Sequence, residues 1–215
     1  MTDLVSYLDL ANHRPETTEG EIRELCLKVQ EFNFNSAFVN AYYVGLAKSL
    51  GVRVGTVVSF PLGGETVAMK VAASRAAVLS GADELDISLN VGSIKEAKWE
   101  ASLGEMKEIV LAVRSLNKRT IIKFIPETGY LTEDEIRKSA ELILESGADF
   151  FKTCSGMGPR GATVGDVRVV RDAVGNKLKI KVAGGITTYE QVITFIEAGA
   201  DRIGTSHAVE IIRNG

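Results

Sequence analysis

Apolar positions along this chain recur at two spacings, and the two alternate. One spacing is helical: Ile22, Leu25, Cys26 and Val29; Ile136, Ala140, Ile143 and Leu144; Val167, Val170 and Val174; Val192, Phe195 and Ile196. The longest such stripe is Trp99, Leu103, Met106, Val110 and Val113, and Val67, Val71 and Val78 mark another. Each stripe is one-sided, which predicts helices that cover something with a single face. Thr18…Glu21, Thr132…Glu135 and Thr188…Gln191 fit the capping box, with Thr163…Asp166 a weaker version. Between the helices lie short runs rich in β-formers, at 5–10, 35–40, 52–60, 83–89, 119–125, 149–153, 178–183 and 201–205. Ser80-Gly81-Ala82-Asp83, Ser146-Gly147-Ala148-Asp149 and Ala198-Gly199-Ala200-Asp201 each stand where a helix gives way to a strand, as does Leu50-Gly51-Val52-Arg53. Glycine there suits the left-handed residue that ends a helix.

Strict alternation of strand and helix predicts a parallel sheet with helices outside it. Eight such units without a Pro-, Ser- or Gly-rich linker point to a closed (β/α)8 TIM barrel, one domain over residues 1–215. The alternative is an open doubly wound sheet. That fold usually carries a nucleotide-binding glycine fingerprint in an early turn, and Gly63-Gly64 is too little to count as one.

Alternation within each strand then separates a helix-facing set from an axis-facing set. In 83–90 the apolar set is Leu85, Ile87 and Leu89, leaving Asp86, Ser88 and Asn90 inward. By the same rule Lys123, Lys152, Lys179, Lys181 and Ala183 face the axis. One inward lysine is ordinarily a snorkelling side chain. Lys123, Lys152 and Lys181 on three consecutive strands, near their C-terminal ends, are a different matter, because that end carries the chemistry in barrels. Crowded ammonium groups disfavour one another's charged forms, and a desolvated lysine beside a cation becomes a nucleophile for a carbonyl. Asp86 is available to move a proton. Parity leaves open which lysine is the nucleophile.

Composition narrows the partners. The 25 basic against 28 acidic residues, a net charge of −3, argue against nucleic acid as the main partner. Two cysteines and two histidines are too few for a zinc ribbon or a disulfide scaffold, and no metal or other cofactor is expected. The chain has no apolar run of membrane-spanning length, and Met1-Thr2-Asp3-Leu4-Val5-Ser6 lacks the basic and apolar regions of a secretory signal. The expectation is a cytoplasmic protein with reduced thiols. The loops after the seventh and eighth strands, Ala183-Gly184-Gly185-Ile186 and Gly204-Thr205-Ser206, stand where barrels often hold phosphate on backbone N–H groups. They imply a small phosphorylated substrate.

Phe151-Lys152-Thr153-Cys154-Ser155-Gly156 followed by Gly161-Ala162-Thr163-Val164 resembles the Schiff-base segment of deoxyribose-phosphate aldolases. So do Phe60-Pro61-Leu62-Gly63, Gly81-Ala82-Asp83-Glu84-Leu85-Asp86, Lys179-Ile180-Lys181-Val182-Ala183-Gly184-Gly185-Ile186 and Arg202-Ile203-Gly204-Thr205-Ser206. Val39-Asn40 with Tyr42-Tyr43-Val44 fits as well. The resemblance runs in order over nearly the whole chain. It implies a metal-independent class I aldolase on a (β/α)8 barrel that reversibly cleaves 2-deoxy-D-ribose 5-phosphate to D-glyceraldehyde 3-phosphate and acetaldehyde. Carried over by motif, Lys152 forms the Schiff base, Lys181 is the neighbouring cation, and Asp86 relays protons. Asp9, which matches the start of the family's first-strand motif, joins them as a candidate. Gly156, Gly184, Gly185, Gly204, Thr205 and Ser206 line the phosphate site.

The chain departs from the family at the first strand, where a D-H-T-L-L-K-P-like segment becomes Asp9-Leu10-Ala11-Asn12-His13-Arg14-Pro15. Phe38 stands where many members have cysteine, and Cys154 where serine is common. These changes leave open another phosphosugar Schiff-base lyase, or a phosphosugar-binding barrel of low turnover. A homodimer or homotetramer is compatible with a barrel of this kind.

Overall fold

Eight parallel strands close into a barrel in chain order, β1 through β8, with β8 returning to pair with β1. The computed structural model describes residues 4–215, so Met1–Asp3, the start of the segment read above for a secretory signal, lie outside it. The strands are β1 Leu8–Asn12, β2 Ser36–Val39, β3 Val54–Val58, β4 Glu84–Ser88, β5 Ile121–Ile125, β6 Phe150–Lys152, β7 Lys179–Ala183 and β8 Arg202–Thr205. The helices around them are α1 Glu19–Phe32, α2 Val44–Ser49, α3 Val67–Leu79, α4 Val91–Lys95, α5 Trp99–Leu116, α6 Glu133–Glu145, α7 Val164–Val174, α8 Tyr189–Glu197 and α9 Ala208–Arg213. Among the described residues no helix is long and apolar enough to cross a membrane.

The helix starts follow from their caps. Thr18, Thr132, Thr163 and Thr188 each accept a hydrogen bond from the N–H three residues on, and Glu21, Glu135, Asp166 and Gln191 reach back to complete the box. The Thr163–Asp166 box, the weaker of the four by residue type, is as complete as the others. Asp166 also receives Arg160 at 2.7 Å and the Thr128 hydroxyl at 2.9 Å, so it ties the loop after β5 to the loop after β6.

The repeated Gly-Ala-Asp motif does two jobs. Gly81, Gly147 and Gly199 take φ of 104°, 81° and 108°, which end α3, α6 and α8. The aspartate two residues on then accepts the first or second N–H of the preceding strand. Asp83 binds the Val54 N–H at 2.9 Å, Asp149 that of Ile122 at 2.7 Å and Asp201 that of Ile180 at 2.8 Å. Each also meets a basic side chain from an earlier helix: Lys48, Arg114 and Arg171 respectively. These clips sit at the N-terminal rim, opposite the end where the site lies.

Three local expectations change. Leu4–Tyr7 is a short 3-10 turn, and the first strand begins at Leu8 rather than at residue 5. Its ladders begin at Leu8↔Ile203 and Asp9↔Ser36, so pairing overrides β propensity at its start. On α3 the buried face is Lys70, Ser74 and Ala77, with Val67, Val71 and Val78 half-buried beside it. Lys70 can lie there because its ammonium meets Glu105 of α5 at 2.7 Å and the Ser88 carbonyl at 3.1 Å. On α5 the buried line is Ser102, Met106, Ile109 and Val113, which leaves Trp99, Leu103 and Val110 half-buried.

Candidate active site

Strand alternation delivers a column of charged side chains to the barrel axis. Asp86 of β4 is its centre: Oδ2 accepts from Lys152 of β6 and from Lys181 of β7, each at 2.9 Å, and Oδ1 pairs with Lys123 of β5 at 3.0 Å. Lys181 also pairs with Asp9 of β1 at 2.8 Å. Asp9 Oδ1 receives Arg202 of β8 at 2.9 Å, the Ser36 hydroxyl at 2.6 Å and the Asn35 amide at 2.9 Å. Toward the N-terminal rim, Glu84 holds Lys123 at 2.5 Å and Arg53 at 2.7 Å, with Arg202 at 3.5 Å. Asp9, Glu84, Asp86 and Lys123 have no solvent exposure, while Lys152 keeps 4%.

Phe38 of β2 lies within this column. The Lys181 ammonium stands 3.3 Å from its ring centroid and Lys123 4.8 Å, in cation–π contact. The neighbouring strand makes room for the ring through Gly55, where a Cβ would meet ring atoms at 2.2–2.4 Å.

The electrostatics follow from this geometry. Burial alone would raise the Asp86 carboxyl, but the ammonium groups of Lys123, Lys152 and Lys181 hold it well below the usual carboxylate range. Glu84 is likewise held down, to about 2, against its own burial, by Lys123 and Arg202. Lys123 is raised, since Asp86 and Glu84 outweigh its burial. Lys181 is lowered by burial and by the repulsion of Lys123 and Lys152, which together outweigh Asp86 and Asp9. Cys154 is pushed up to about 11 by burial and its Sγ hydrogen-bonds the Ala183 carbonyl at 2.8 Å, which makes it a structural thiol rather than a nucleophile.

Glu84 sets an acid limit on stability. Its carboxyl titrates near 2 in the fold and near 4.5 when free, so its contribution is complete above 4.5 and is lost as pH falls toward 2. The free energy of unfolding, measured by denaturant titration, is expected to fall already below about pH 6.5, where the unfolded chain protonates His13 and the fold, which holds that imidazole down to about 3, does not, and to fall more steeply below about 4.5 as Glu84 joins it.

Above the column, at the C-terminal ends of the strands, opens a cavity of about 530 Å³. Lys152 and Lys181 form part of its lining with Gly156, Gly184, Gly185, Gly204, Thr205 and Ser206. Asp86 and Asp9 lie beneath it and reach it through the two lysines. Lys123, equal to the other two by strand parity, is sealed below, between Glu84 and Asp86. The glycine loops need their glycines: Gly184 has φ 93°, and a Cβ there would meet Cys154 Sγ at 2.9 Å and Gly156 Cα at 3.1 Å. Ser206 is exposed at the rim. The Thr205 hydroxyl is already committed, donating to the Ile186 carbonyl at 2.7 Å and accepting the His207 N–H at 3.0 Å. Parity accounts for this, since Thr205 shares the side of β8 that carries Ile203.

Several members of this constellation escaped the sequence reading. Glu84 was within reach, because it has the parity of Asp86. Arg202 has the parity of Gly204 and could have been found in the same way. Asn35 lies just before β2, and only the folded register brings its amide to Asp9. His13 lies just beyond β1, lines the cavity and packs 5.4 Å from the Phe60 ring, centroid to centroid.

Comparison with known proteins agrees with this architecture. Residues 7–209 match the model of the DeoC/LacD family of aldolases. A deoxyribose-phosphate aldolase of Dictyoglomus turgidum is 42% identical over 214 residues, covering 98% of this chain and 96% of its own. The solved structure of QR15, an aldolase, superposes with a TM-score of 0.93 at 41% identity, covering 100% of this chain and 96% of that one. The tetrameric deoxyribose phosphate aldolase of Aeropyrum pernix superposes with a TM-score of 0.90 at 28% identity, covering 98% and 90%. The chain therefore belongs to the DeoC/LacD aldolase family and is a carbon–carbon lyase.

Proposed function

We propose that this enzyme reversibly cleaves 2-deoxy-D-ribose 5-phosphate to D-glyceraldehyde 3-phosphate and acetaldehyde through an imine on Lys152. The observation that carries this reading is the position of Lys152. It is the lysine of the column that contacts one carboxylate, shares that carboxylate with Lys181, and lines the cavity. The column sets Lys123, Lys152, Lys181 and Arg202, with Arg53 at the rim, against Asp9, Glu84 and Asp86, so cations are in excess and losing one proton strands no carboxylate.

In this mechanism the free Lys152 amine adds to the C1 carbonyl of the open-chain sugar. The carbinolamine loses water to give an iminium. A proton leaves the C3 hydroxyl, the C2–C3 bond breaks as the C3 carbonyl forms, and its electron pair passes into the iminium to give an enamine. Protonation at C2 and addition of water release acetaldehyde and restore the amine. Asp86, ionised at rest and bonded to both lysines, accepts and returns protons in these steps, with Lys181 as the second station and Asp9 holding Lys181 in place. The iminium is the electron sink, so the reaction as written uses neither metal nor cofactor. The glycine loops carrying Gly156, Gly184, Gly185, Gly204 and Ser206 offer backbone N–H groups to the phosphate, and Thr205 holds their shape.

One barrel domain over 1–215 suffices for this chemistry. The setting is cytoplasmic catabolism of deoxyribonucleotide sugars, and the tetrameric Aeropyrum pernix relative supports a homo-oligomeric state. Borohydride reduction in the presence of acetaldehyde tests the reading. The expected product is an ethyl group on Lys152, located by peptide mapping. A folded protein that carries no adduct, or carries it elsewhere, overturns the assignment.

A further inference from the structure

His13 and His207 both line the cavity, and His13 is the one that packs on Phe38 and Phe60 beside the column. Its ring is half-buried, and Nδ1 is withdrawn from solvent with no hydrogen-bond partner among the described residues. The ring and the Lys152 ammonium flank the same Phe60 ring, each 5.4 Å from its centroid, and His13 packs edge-on to Phe38 at 6.4 Å. Burial, with the Lys152 and Lys181 ammonium groups, pushes His13 down to about 3, while the Asp86 charge and the Asn40 side chain act in the other direction. The imidazole is thus neutral at working pH and presents one donor and one acceptor nitrogen. A buried polar nitrogen without a partner is costly, and a wall made only to hold a methyl group gains nothing from one.

We infer that His13 is a specificity-determining residue that hydrogen-bonds a hydroxyl on the carbon next to the donor carbonyl, so that the site takes a hydroxyaldehyde donor as well as acetaldehyde. The inference rests on the proposed imine at Lys152. Once the donor carbonyl carbon is joined to Lys152 Nζ, its α-carbon is one bond further out, and its substituents are directed at the walls around that nitrogen. A hydroxyl both donates and accepts, so it satisfies Nδ1 in either tautomer. The methyl of acetaldehyde satisfies it in neither. The carbon–carbon bond still forms between the enamine α-carbon and the acceptor carbonyl carbon, whose oxygen takes up the proton. The hydroxyl is a spectator in that step.

The test is aldol addition to D-glyceraldehyde 3-phosphate with acetaldehyde and with glycolaldehyde as donors, products separated by mass, for the wild type, His13→Leu and His13→Gln. The expected result is product from both donors in the wild type. The ratio of glycolaldehyde to acetaldehyde kcat/KM falls about 10-fold or more in His13→Leu, as losing the partner of a buried polar group predicts. His13→Gln, which keeps a donor and an acceptor, recovers part of the ratio. Acetaldehyde product without glycolaldehyde product in the wild type overturns the inference and leaves the imine chemistry standing, as does an unchanged ratio in both variants. Absence of product from both donors, with no adduct on Lys152, overturns the underlying reaction instead.

Discussion

Replacing Lys152 with methionine is expected, on the proposed imine mechanism, to lower cleavage of deoxyribose 5-phosphate by roughly 10⁴-fold or more, the scale seen when a covalent nucleophile is removed. The same substitution is expected to leave stability unchanged or raise it, which is unusual for a buried charge. The reason is the charge balance of the column. Asp86 keeps Lys123 at 3.0 Å and Lys181 at 2.9 Å after Lys152 is gone, so no carboxylate is stranded. What disappears is a cation in excess, whose desolvation and repulsion the fold otherwise bears. Thermal unfolding of Lys152→Met should therefore match or exceed the wild type. Turnover measured beside it separates a lost nucleophile from a damaged fold. Substantial residual cleavage would move the covalent step away from Lys152.

Replacing Asp86 with asparagine has the opposite signature, with both properties falling. The amide keeps the shape of the carboxylate but leaves Lys123, Lys152 and Lys181 facing a neutral group. Breaking buried ion pairs from one side costs about 3–5 kcal/mol. Turnover should drop by roughly 10²–10⁴-fold, because the proton acceptor shared by the two cavity lysines is gone. The pH dependence identifies the cause. In the variant the folded state binds fewer lysine protons than the unfolded chain, so stability rises with pH above neutrality. Denaturant titrations between pH 7 and 10 would show this slope, and a flat profile would mean that Asp86 does not hold the ammonium groups in place.

The barrel was legible in the sequence because two periodicities alternate in it without interruption, and because threonine caps and Gly-Ala-Asp turns punctuate it. Strand parity carried Asp86, Lys123, Lys152 and Lys181 to the axis, and all four are there. Parity has no height, however. It could not distinguish Lys152, which reaches the cavity, from Lys123, which is sealed below between two carboxylates. The difference lies in register, since Lys123 pairs across the sheet with Phe150 while Lys152 pairs with Lys181 one layer higher. Apolar periodicity failed at Lys70 for a related reason. An ion pair to Glu105 licenses a lysine on a buried face, and a pattern that counts lysine as polar assigns it to solvent. His13 belongs to no periodic element, so only the fold brings it to Lys152 and Phe60.

The aspartate clips divide the labour of the molecule by rim. Asp83, Asp149 and Asp201 fasten the starts of β3, β5 and β7, each to the unit that follows, and so help close the ring at one end. The loops that shape the cavity leave from the other end and share none of those bonds. A change in loop length or sequence around Gly156, Gly185 or Ser206 can therefore alter what is bound without loosening the joints that keep the ring shut. The chain is built so that substrate preference can drift while the closure that supports it stays constant.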